Sequence, residues 1–511
     1  MSKTLRLILG DQLNINHSWF NKTDSTVIYC MMEMRQETDY TTHHIQKVIG
    51  FFSSMREFAR QLKDGGHEII YLKLDDHNNK QTLRENLKSI IESEQVDLFE
   101  YQLPDEYRLD EQLNEICNFL EVETRSYDSE HFYTSRNELS NHFEGKKQWV
   151  MESFYRMMRE NHNVLMQGSK PIGGKWNYDA SNRKRLPQKH KPTLPLVFNH
   201  DVSDLLNIIN KAGVKTIGYI DSKHFVWPIN RKESIDLLDY FLENCLPLFG
   251  DFQDAMAVNE WSVYHSRISF SLNCKLISPK EVVDAAIDYY QKNKDKVDIS
   301  QIEGFVRQII GWREYMRGMY WAKMPEYGKI NELNNKNKLP EFYWTGNTKM
   351  NCLKTAINQS LAYAYAHHIQ RLMITGNFAL LASVDPDEVE SWYLGIYIDA
   401  IEWVEMPNTR GMSQYADRGL IATKPYISSA NYIDKMSNYC GSCYYDKKQK
   451  TGNKSCPFNS LYWNFISRHE EYLSSNPRMG MMLNLWRKMD GEQQSNILEQ
   501  AEFYLNHIND L

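Results

Sequence analysis

The stretch Leu5-Arg-Leu-Ile-Leu-Gly-Asp-Gln12 indicates the architecture of the first part of the chain. It joins a short apolar run to a polar turn, which is typical of a buried strand that ends at a loop. Four more short apolar or β-branched runs follow before residue 130, and segments of helical periodicity separate several of them. The runs are Val27–Met32, Glu68–Leu74, Asp97–Gln102 and Val122–Tyr127, and the clearest helical segments are Val48–Leu62 and Leu83–Ile91. This alternation predicts an α/β region with a Rossmann-like parallel sheet covered by helices.

Polar residues follow the first two predicted strands. Gly10, Asp11 and Gln12 end the first strand, and Glu33 and Glu37 follow the second. Ligands of open α/β sheets bind beyond the carboxyl ends of the strands, so these residues predict a crevice. No G-x-G-x-x-G is present, which argues against an ordinary dinucleotide site. Glu33 and Glu37 could equally be solvated loop carboxylates.

The composition is that of a globular protein. The chain has 511 residues, 42% of them hydrophobic, which is enough for roughly two to four domains. Its formal net charge of -7 means that any contact with nucleic acid requires a local basic patch. The first apolar run breaks at Gly10-Asp11, so we expect no signal peptide, and no stretch reaches the ~20 apolar residues of a membrane span. We therefore expect a cytoplasmic protein without membrane contact, whose thiols are reduced or metal-bound.

The chain beyond about Trp149 has the periodicity of helices joined by polar loops. Phe305–Trp321 is predicted as an amphipathic helix, and Thr355–Ile374 as the longest helix. An apolar stripe on the second helix places His368 on its inward face and His367 on its polar side; its members are Ile357, Leu361, Ala364, His368 and Leu372. A buried histidine is more often a satisfied core residue than a proton donor.

One loop between residues 173 and 192 combines glycines, aromatic residues and basic residues. It contains Gly173, Gly174, Trp176 and Tyr178, followed by a cluster of lysines and arginines. Such a segment could lie against a phosphate backbone, although a solvated linker explains the charges equally well.

Four late cysteines are spaced as if they formed one site. They are Cys352, the C-x-x-C pair Cys440 and Cys443, and Cys456. The small residues between Cys440 and Cys443 allow both sulfurs of the turn to face one metal. Cys352 lies far upstream and Cys456 stands alone before a proline, which suits an iron–sulfur cluster better than the paired hairpins of zinc sites. A zinc knot, a redox dithiol and chance spacing remain alternatives.

These features, taken in chain order, resemble the photolyase/cryptochrome superfamily. The strand with its Gly-Asp-Gln turn, Tyr264-His-Ser-Arg-Ile-Ser269 and Trp312-Arg-Glu-Tyr315 carry the resemblance, which extends over nearly the whole chain. The four cysteines and His367-His368 resemble its bacterial iron–sulfur branch, whose members repair (6-4) pyrimidine photoproducts. Further residues fall where that branch has functional residues, namely Trp344, Trp392, Tyr393, Glu405 and Tyr426.

The resemblance implies three regions and three cofactors. The regions are an α/β antenna-binding domain at 1–135, a connector with the basic loop at 136–230, and an all-α flavin-binding domain at 231–511. The cofactors are flavin adenine dinucleotide (FAD), a [4Fe-4S] cluster held by the four cysteines, and a 6,7-dimethyl-8-ribityllumazine antenna. The implied FAD-site residues are His265, Ser266, Arg267, Ser269, Gln308, Trp312, Arg313, Asp399 and Glu405; the antenna-site residues are Gly10, Asp11, Gln12, Glu33 and Glu37.

The resemblance also implies an activity, the light-driven repair of UV-damaged DNA. Photoexcited reduced FAD would donate an electron to a (6-4) lesion, after photoreduction through Trp392, Trp344 and Tyr393. Repair also needs a proton donor, for which a histidine is suited near neutral pH. The implied catalytic residues are His368, as the acid, with His367 and Tyr426. A cryptochrome photoreceptor without repair activity, and a non-photochemical metal-stabilised DNA-binding protein, are the alternatives; we expect a monomer.

Overall fold

A five-stranded parallel sheet forms the N-terminal region of the computed structural model, which describes residues 2–187 and 189–511. The strand order is β3-β2-β1-β4-β5, and all strands are parallel. The order in which the chain adds strands reverses between β1 and β4, which is the switch point of the sheet. The strands are β1 (Thr4–Leu7), β2 (Val27–Met32), β3 (Glu68–Leu72), β4 (Leu98–Gln102) and β5 (Glu123–Tyr127). The predicted parallel sheet is confirmed. β1 ends before Leu9 because the Leu9 backbone N–H donates to Gln12 Oε1 at 3.0 Å, in the turn that follows.

Helices cover both faces of this sheet, as predicted. Leu83–Glu94 and Tyr107–Phe119 pack on one face, and Ile45–Asp64 packs on the other. A short helix, Arg35–Asp39, follows β2. The two helices predicted from periodicity are present and extend a few residues beyond the predicted ends, because polar residues continue a helix whose apolar face is already buried.

The rest of the chain is largely helical, which confirms the predicted fold class. A small antiparallel hairpin, Met166–Gln167 with Lys170–Pro171, lies before the basic loop. The α-helices are Glu138–His142, Met151–Asn161, Ser203–Lys211, Arg231–Asn244, Leu246–Phe252, Ser269–Asn273, Pro279–Lys292, Ile299–Val306, Glu314–Lys323, Phe342–Thr345, Asn351–Tyr363, His368–Gln370, Asn377–Leu381, Pro386–Ile396, Glu402–Met406, Ala430–Met436, Pro457–Arg468, Glu470–Ser474, Gly480–Arg487 and Gly491–Asn506. None of the helices in the described ranges is long and apolar enough to cross a membrane. The boundaries at residues 135 and 230 stay predictions.

Three π-helical segments interrupt the helical region. They are Arg307–Arg313, Arg371–Gly376 and Pro407–Ser413. The first lies inside the predicted helix Phe305–Trp321, where it joins Ile299–Val306 to Glu314–Lys323. A π-helical turn is wider than an α-helical turn, so it changes which side chains point to one side, and such turns are frequent at functional sites.

The predicted single helix Thr355–Ile374 is wrong. The helix ends at Tyr363, Ala364 adopts a left-handed conformation with φ of 51°, and helical structure resumes at His368. Buried side chains hold the break: Gln359 Nε2 donates to the Tyr365 carbonyl at 3.1 Å, and Gln370 Oε1 accepts from the His367 N–H at 3.1 Å.

The predicted orientation of the two histidines is therefore wrong as well. The apolar stripe ends with its helix, so the spacing from Leu361 does not govern the residues after Ala364. His367 is buried, with 1% of its surface exposed, whereas His368 is exposed. Tertiary hydrogen bonds override the local periodicity here.

A buried ion-pair cluster joins the sheet to the helical region. Lys275 Nζ lies 2.9 Å from Asp11 Oδ2 and 2.7 Å from Asp105 Oδ2; Lys275 and Asp105 are almost completely buried, and the Asp11 side chain is 14% exposed. Arg317 Nε lies 3.6 Å from Asp105 Oδ1. Burial alone would raise the pKa of Asp105, but the charges of Lys275 and Arg317 lower it below its ordinary value. Asp11 follows β1 and Asp105 follows β4, so the lysine bridges the switch point of the sheet.

Removing this lysine should destabilise the fold. We expect Lys275→Met to lower the free energy of unfolding by about 3–5 kcal/mol, because it removes the cation between Asp11 and the buried Asp105 and leaves Asp105 only the more distant Arg317. The loss of stability relative to the parent should be smaller at about pH 5.5 than at about pH 8, since protonation of Asp11 or Asp105 in the variant relieves the repulsion between the two carboxylates. Urea unfolding at both pH values measures this. Lys280→Met, which removes an exposed pair with Asp284, is the control and should change stability little; equal effects of the two substitutions would contradict the prediction.

Candidate active site

One large cavity lies within the helical region and has a volume of about 1270 Å³. All three π-helical segments contribute residues to its wall, and so does the non-helical segment that interrupts the helix after Tyr363. The residues predicted for a FAD site all line it: His265, Ser266, Arg267, Ser269, Gln308, Trp312, Arg313, Asp399 and Glu405. His367, His368, Tyr393 and Tyr426 line it too. The cavity thus brings together residues that are spread over more than 150 positions of sequence.

A buried ion pair organises the wall around the two histidines. Arg371 Nη2 lies 3.0 Å from Asp399 Oδ1 and 3.1 Å from Oδ2, and the Ser269 hydroxyl donates to Oδ2 at 2.6 Å. Arg371 Nε also donates to the Ala366 carbonyl at 2.6 Å. One guanidinium therefore fixes the backbone next to His367 and the acidic residue across the cavity. Arg371 was not predicted as a site residue, since a lone arginine on a helix gives no signal of this role.

The two histidines have different surroundings. The His367 ring stacks on His265, with centroids 4.6 Å apart, and neither of its ring nitrogens has a hydrogen-bond partner in the described part of the chain. Burial and the neighbouring His265 lower the pKa of His367 well below its ordinary value. The His368 side chain is accessible from the cavity, and burial together with the Arg371 charge lowers its pKa to about 4. Both imidazoles are therefore neutral near pH 7 in the unliganded protein.

Glu405 is a second buried group without a partner. Both of its carboxyl oxygens lack a hydrogen-bond partner among the described residues. Burial and the nearby Glu390 charge raise its pKa well above the ordinary value. A neutral carboxyl group facing a cavity can donate a hydrogen bond as well as accept one.

A series of aromatic side chains extends from the cavity wall to the buried Tyr343. Tyr393 and Tyr397 line the cavity, and their rings lie 5.3 and 5.9 Å from the buried Trp392 ring. The Trp392 ring lies 5.1 Å from that of Tyr343, and the next residue, Trp344, is 40% exposed. Trp392, Tyr393 and Trp344 were predicted; Tyr343 and Tyr397 were missed. Tyr343 could have been found because it directly precedes Trp344 in the sequence. Tyr397 could have been found because it lies four residues after Tyr393, a spacing that places two side chains on the same face of a helix.

The four predicted cluster cysteines lie near one another. Burial raises the pKa of the Cys352 thiol well above its ordinary value, and the charges of Cys456, Cys443 and Cys440 contribute to that shift. Asn351 links the segments, because its side-chain Nδ2 donates to the Tyr439 carbonyl at 2.8 Å. Within residues 2–187 and 189–511, no three His, Cys, Asp or Glu side chains are close enough to hold one metal ion between them.

The residues predicted for an antenna site surround the carboxyl ends of the strands, but several are occupied by structural contacts. Glu33 accepts hydrogen bonds from Arg56, Tyr71 and the Leu74 N–H. Gln12 Nε2 donates to the Gln102 carbonyl at 3.1 Å, and Asp11 pairs with Lys275. Glu37 binds Arg108 and remains partly exposed, with Gly10 at the turn. The antenna assignment stays a prediction.

Several exposed positively charged side chains line the cavity, besides the acidic Glu152, Asp179 and Asp254. Those among the lining residues that reach its outer part are Lys146, Lys147, Arg183, Lys323, Arg418 and Arg478. In the basic loop, Arg183 pairs with Asp179, and Lys184 Nζ lies 2.7 Å from Asp251 Oδ2. Part of the positive charge of the loop is therefore neutralised by ion pairs within the protein. Arg183 nevertheless lines the cavity.

Comparisons with known proteins identify the family of this chain. The family model described as deoxyribodipyrimidine photo-lyase-related protein matches residues 6–225. A (6-4) photolyase of Agrobacterium fabrum is 39% identical over 510 residues, covering 99% of this chain and 99% of that protein. This chain belongs to the photolyase-related proteins of the photolyase/cryptochrome superfamily.

Solved structures of photolyases and cryptochromes share the fold of this photolyase-related protein. A bacterial class III photolyase from Agrobacterium tumefaciens superposes with a TM-score of 0.56 at 15% identity, covering 83% of this chain and 81% of that chain. A cryptochrome from Synechocystis superposes with a TM-score of 0.53 at 13% identity, covering 81% of this chain and 83% of that chain. The resemblance found in the sequence is confirmed.

Membership of this superfamily implies a FAD cofactor, and the cavity of this photolyase-related protein fits that group. Arg267 Nε, Arg307 Nη2 and Arg313 Nε are buried donors without a partner in the described residues. Burial lowers the pKa of Arg267 to about 10, as expected for a buried cation without a full counter-charge. A diphosphate and the carbonyl oxygens of a flavin would supply both the negative charge and the missing acceptors.

Proposed function

We propose that this protein is a (6-4) photolyase, which uses light to repair UV-induced (6-4) pyrimidine photoproducts in DNA. The observation that carries the proposal is the cavity itself: candidate FAD-binding residues line its wall, an accessible histidine faces into it, and cations surround its opening. The (6-4) photolyase of Agrobacterium fabrum, which is similar over the full length, supports the same choice. Reduced FAD, when bound and excited by blue light, supplies the electron for the lesion.

His368 is the proton donor in this proposal. Its ring is accessible from the cavity, whereas the His367 ring is buried against His265. A pKa of about 4 leaves His368 neutral in the unliganded protein, but the phosphates of a bound lesion would favour the charged form and so load the acid only in the complex. His367 then positions the segment, and Tyr426, which is half-buried in the cavity wall, contacts the lesion.

The cations around the opening bind the DNA backbone. The net charge of -7 gives no general attraction to a polyanion, so Arg418, Arg478 and the lysines before Val150 would supply the local attraction. The predicted FAD-site residues and His368 line a cavity within the helical region, so the damaged dinucleotide must leave the duplex to reach them. Weakened base pairing at the lesion lowers the cost of that movement.

In this proposal, the aromatic series conducts electrons from the protein surface to an acceptor in the cavity. Trp392 is buried next to the two cavity tyrosines, and Trp344 is exposed to reductants in solution. No guanidinium lies over the Trp392 ring among the cation–π contacts of the described residues, whereas Arg371 Cζ lies 3.8 Å from the Tyr397 ring centroid. A nearby cation disfavours oxidation of a ring, so Trp392 is the easier residue to oxidise.

Cys352, Cys440, Cys443 and Cys456 hold a [4Fe-4S] cluster in this proposal. The support is the grouping of the four thiols, since the charges of Cys440, Cys443 and Cys456 all act on the buried Cys352 thiol, together with their spacing in the sequence. The cluster would join the helix Asn351–Tyr363 to the C-terminal loops, which closes a long segment of chain.

A 6,7-dimethyl-8-ribityllumazine antenna would bind near Gly10, Asp11, Gln12, Glu33 and Glu37. The support is their position beyond the carboxyl ends of β1 and β2, on either side of the switch point. Glu37 is the most exposed of the three carboxylates in this set and the one best able to accept hydrogen bonds from a ligand.

Replacing the proposed acid should abolish repair. We expect His368→Ala to reduce light-driven repair of a defined (6-4) oligonucleotide by about 10²–10⁴-fold, the usual contribution of a positioned acid. FAD content and DNA binding should remain close to those of the parent. His77→Ala, at a fully exposed histidine in the α/β region, is the control. Near-parental repair by folded His368→Ala would remove His368 from the mechanism, and no repair by the parent would favour a cryptochrome-type photoreceptor.

Replacing the buried tryptophan should slow photoreduction. Trp392→Phe keeps an aromatic ring in the core but makes it harder to oxidise, so we expect photoreduction under blue light to slow by about 10-fold or more. The decay of the oxidised flavin absorbance measures the rate. Trp19→Phe, at a buried tryptophan of the sheet region, should leave the rate unchanged. If Trp392→Phe matches the parent rate, the relay does not run through Trp392.

Replacing one cysteine should remove the cluster. We expect the Cys443→Ala protein to lose its iron, the visible absorbance of the cluster and much of its solubility together. The cluster would join segments that are distant in sequence, so its loss should also destabilise their packing. Cys117→Ala, which removes a cysteine of the sheet region, should keep all three. Stoichiometric zinc without iron in anaerobically prepared parent protein would contradict the assignment.

A further inference from the structure

Two glutamine side chains form a buried pair beside the non-helical segment that follows Tyr363. Gln359 Nε2 donates to Gln370 Oε1 at 2.9 Å, and Gln370 Nε2 donates to Gln359 Oε1 at 2.9 Å. Gln370 is completely buried and Gln359 is 9% exposed. Each amide fixes the orientation of the other, because exchanging the oxygen and nitrogen of either one would set two donors against each other.

Gln370 also binds two groups outside this pair. Its Nε2 donates to the Tyr439 hydroxyl at 3.1 Å, and its Oε1 accepts from the His367 N–H at 3.1 Å. A glutamine amide has two donor hydrogens and an oxygen with two lone pairs, so the Gln370 side chain uses its full hydrogen-bonding capacity. Losing one partner would leave a buried polar group without a hydrogen bond, which is costly.

The backbone that carries the two histidines is attached to the glutamine pair. Gln359 Nε2 also donates to the Tyr365 carbonyl at 3.1 Å, so the pair binds this backbone at Tyr365 and again at His367. His368 follows directly, and its accessible side chain lines the cavity. Because the His368 side chain projects from this backbone, a shift of residues 364–368 would move its ring as well.

Tyr439 connects the glutamine pair to the segments that carry the late cysteines. The Tyr439 side chain is completely buried, and the residue directly precedes Cys440. Its carbonyl accepts from Asn351 Nδ2 at 2.8 Å, and Asn351 directly precedes Cys352. The Tyr439 backbone is therefore attached to two cysteine-bearing segments, while its hydroxyl binds the glutamine pair.

We propose that Tyr439 is a positioning residue for His368. Its hydroxyl fixes Gln370, Gln370 fixes the backbone at His367, and the cysteine-bearing loop thereby helps to set the position of the proton donor. This inference rests on the proposed function, because it takes His368 as that donor. Proton transfer requires the two heavy atoms to lie within hydrogen-bonding distance, so a small displacement of the ring should slow the chemical step. Binding of the lesion depends on many other contacts and should stay the same.

Removing the Tyr439 hydroxyl alone tests this connection. Tyr439→Phe keeps the ring in the core but leaves one Gln370 N–H without its partner. In the flavin-containing protein kept in the dark, we expect faster amide hydrogen exchange in peptides that cover residues 364–371, measured by mass spectrometry. Under blue light, we expect the rate of repair at saturating (6-4) oligonucleotide to fall by about 10-fold, with an unchanged KM.

Two further variants separate positioning from a general loss of packing. Tyr445→Phe makes the same change at another buried tyrosine near the same cysteines, and it should match the parent in hydrogen exchange and in repair. Gln370→Met removes the whole amide and should slow repair more, by about 100-fold. Adding Tyr439→Phe to Gln370→Met should cause no further loss, because the hydroxyl acts through Gln370.

The outcomes distinguish this inference from the proposed function. Parental hydrogen exchange or a parental repair rate in Tyr439→Phe, an equal effect of Tyr445→Phe, or additive losses in the double variant would overturn the inference. A parent that does not repair the (6-4) oligonucleotide, although Tyr439→Phe still speeds hydrogen exchange in residues 364–371, would instead overturn the proposed function.

Discussion

The ion pair between Arg371 and Asp399 is the contact on which the geometry of the site depends. The Asp399 side chain is 9% exposed and the Arg371 side chain 22%, and removing one partner would leave the other charge in the wall without its counter-charge. The same guanidinium binds the Ala366 carbonyl, and the same carboxylate accepts from Ser269. The pair therefore fixes the relative positions of three segments that are distant in sequence. They are the non-helical segment before the histidines, the loop at Asp399 and the helix that begins at Ser269. His367 and His368 owe their different exposures to this arrangement.

Much of the fold follows from local sequence. Short apolar runs predicted each strand of the sheet, and local sequence also caps helices, as at Pro386–Ile396, where the Asp385 side chain accepts from the Asp387 N–H. The site residues near Tyr264 and Trp312 were found through a family resemblance, not through periodicity. The helix over Thr355–Ile374 failed because Gln359 and Gln370 make hydrogen bonds that exist only in the folded protein. The π-helical segments have no signature in the pattern of apolar residues either, so the sequence could not show which faces they turn toward the cavity.

The cavity wall holds neutral groups beside charged ones. Desolvation lowers the pKa of His367 and, together with the Arg371 charge, that of His368, and it raises the pKa of Glu405, whereas three arginine side chains in the same wall lack partners for some of their N–H groups. A cavity with unused donors and proton-loaded or neutral groups is prepared for an anionic cofactor and a proton transfer, and it costs stability in the unliganded protein. The overall charge of -7 conceals this arrangement, because acidic residues elsewhere outweigh the cations around the opening.

The account is tested most directly by a crystal structure of the flavin-containing protein with a bound (6-4) oligonucleotide. We expect electron density for FAD inside the cavity, in contact with Arg267 and the Arg371–Asp399 pair, and the lesion beside His368 with His367 behind it. The Arg267 Nε donor that now lacks a partner should then bind an acceptor oxygen of the cofactor. Density for the flavin outside this cavity, or a lesion that remains stacked in the duplex with no contact to His368, would contradict the account.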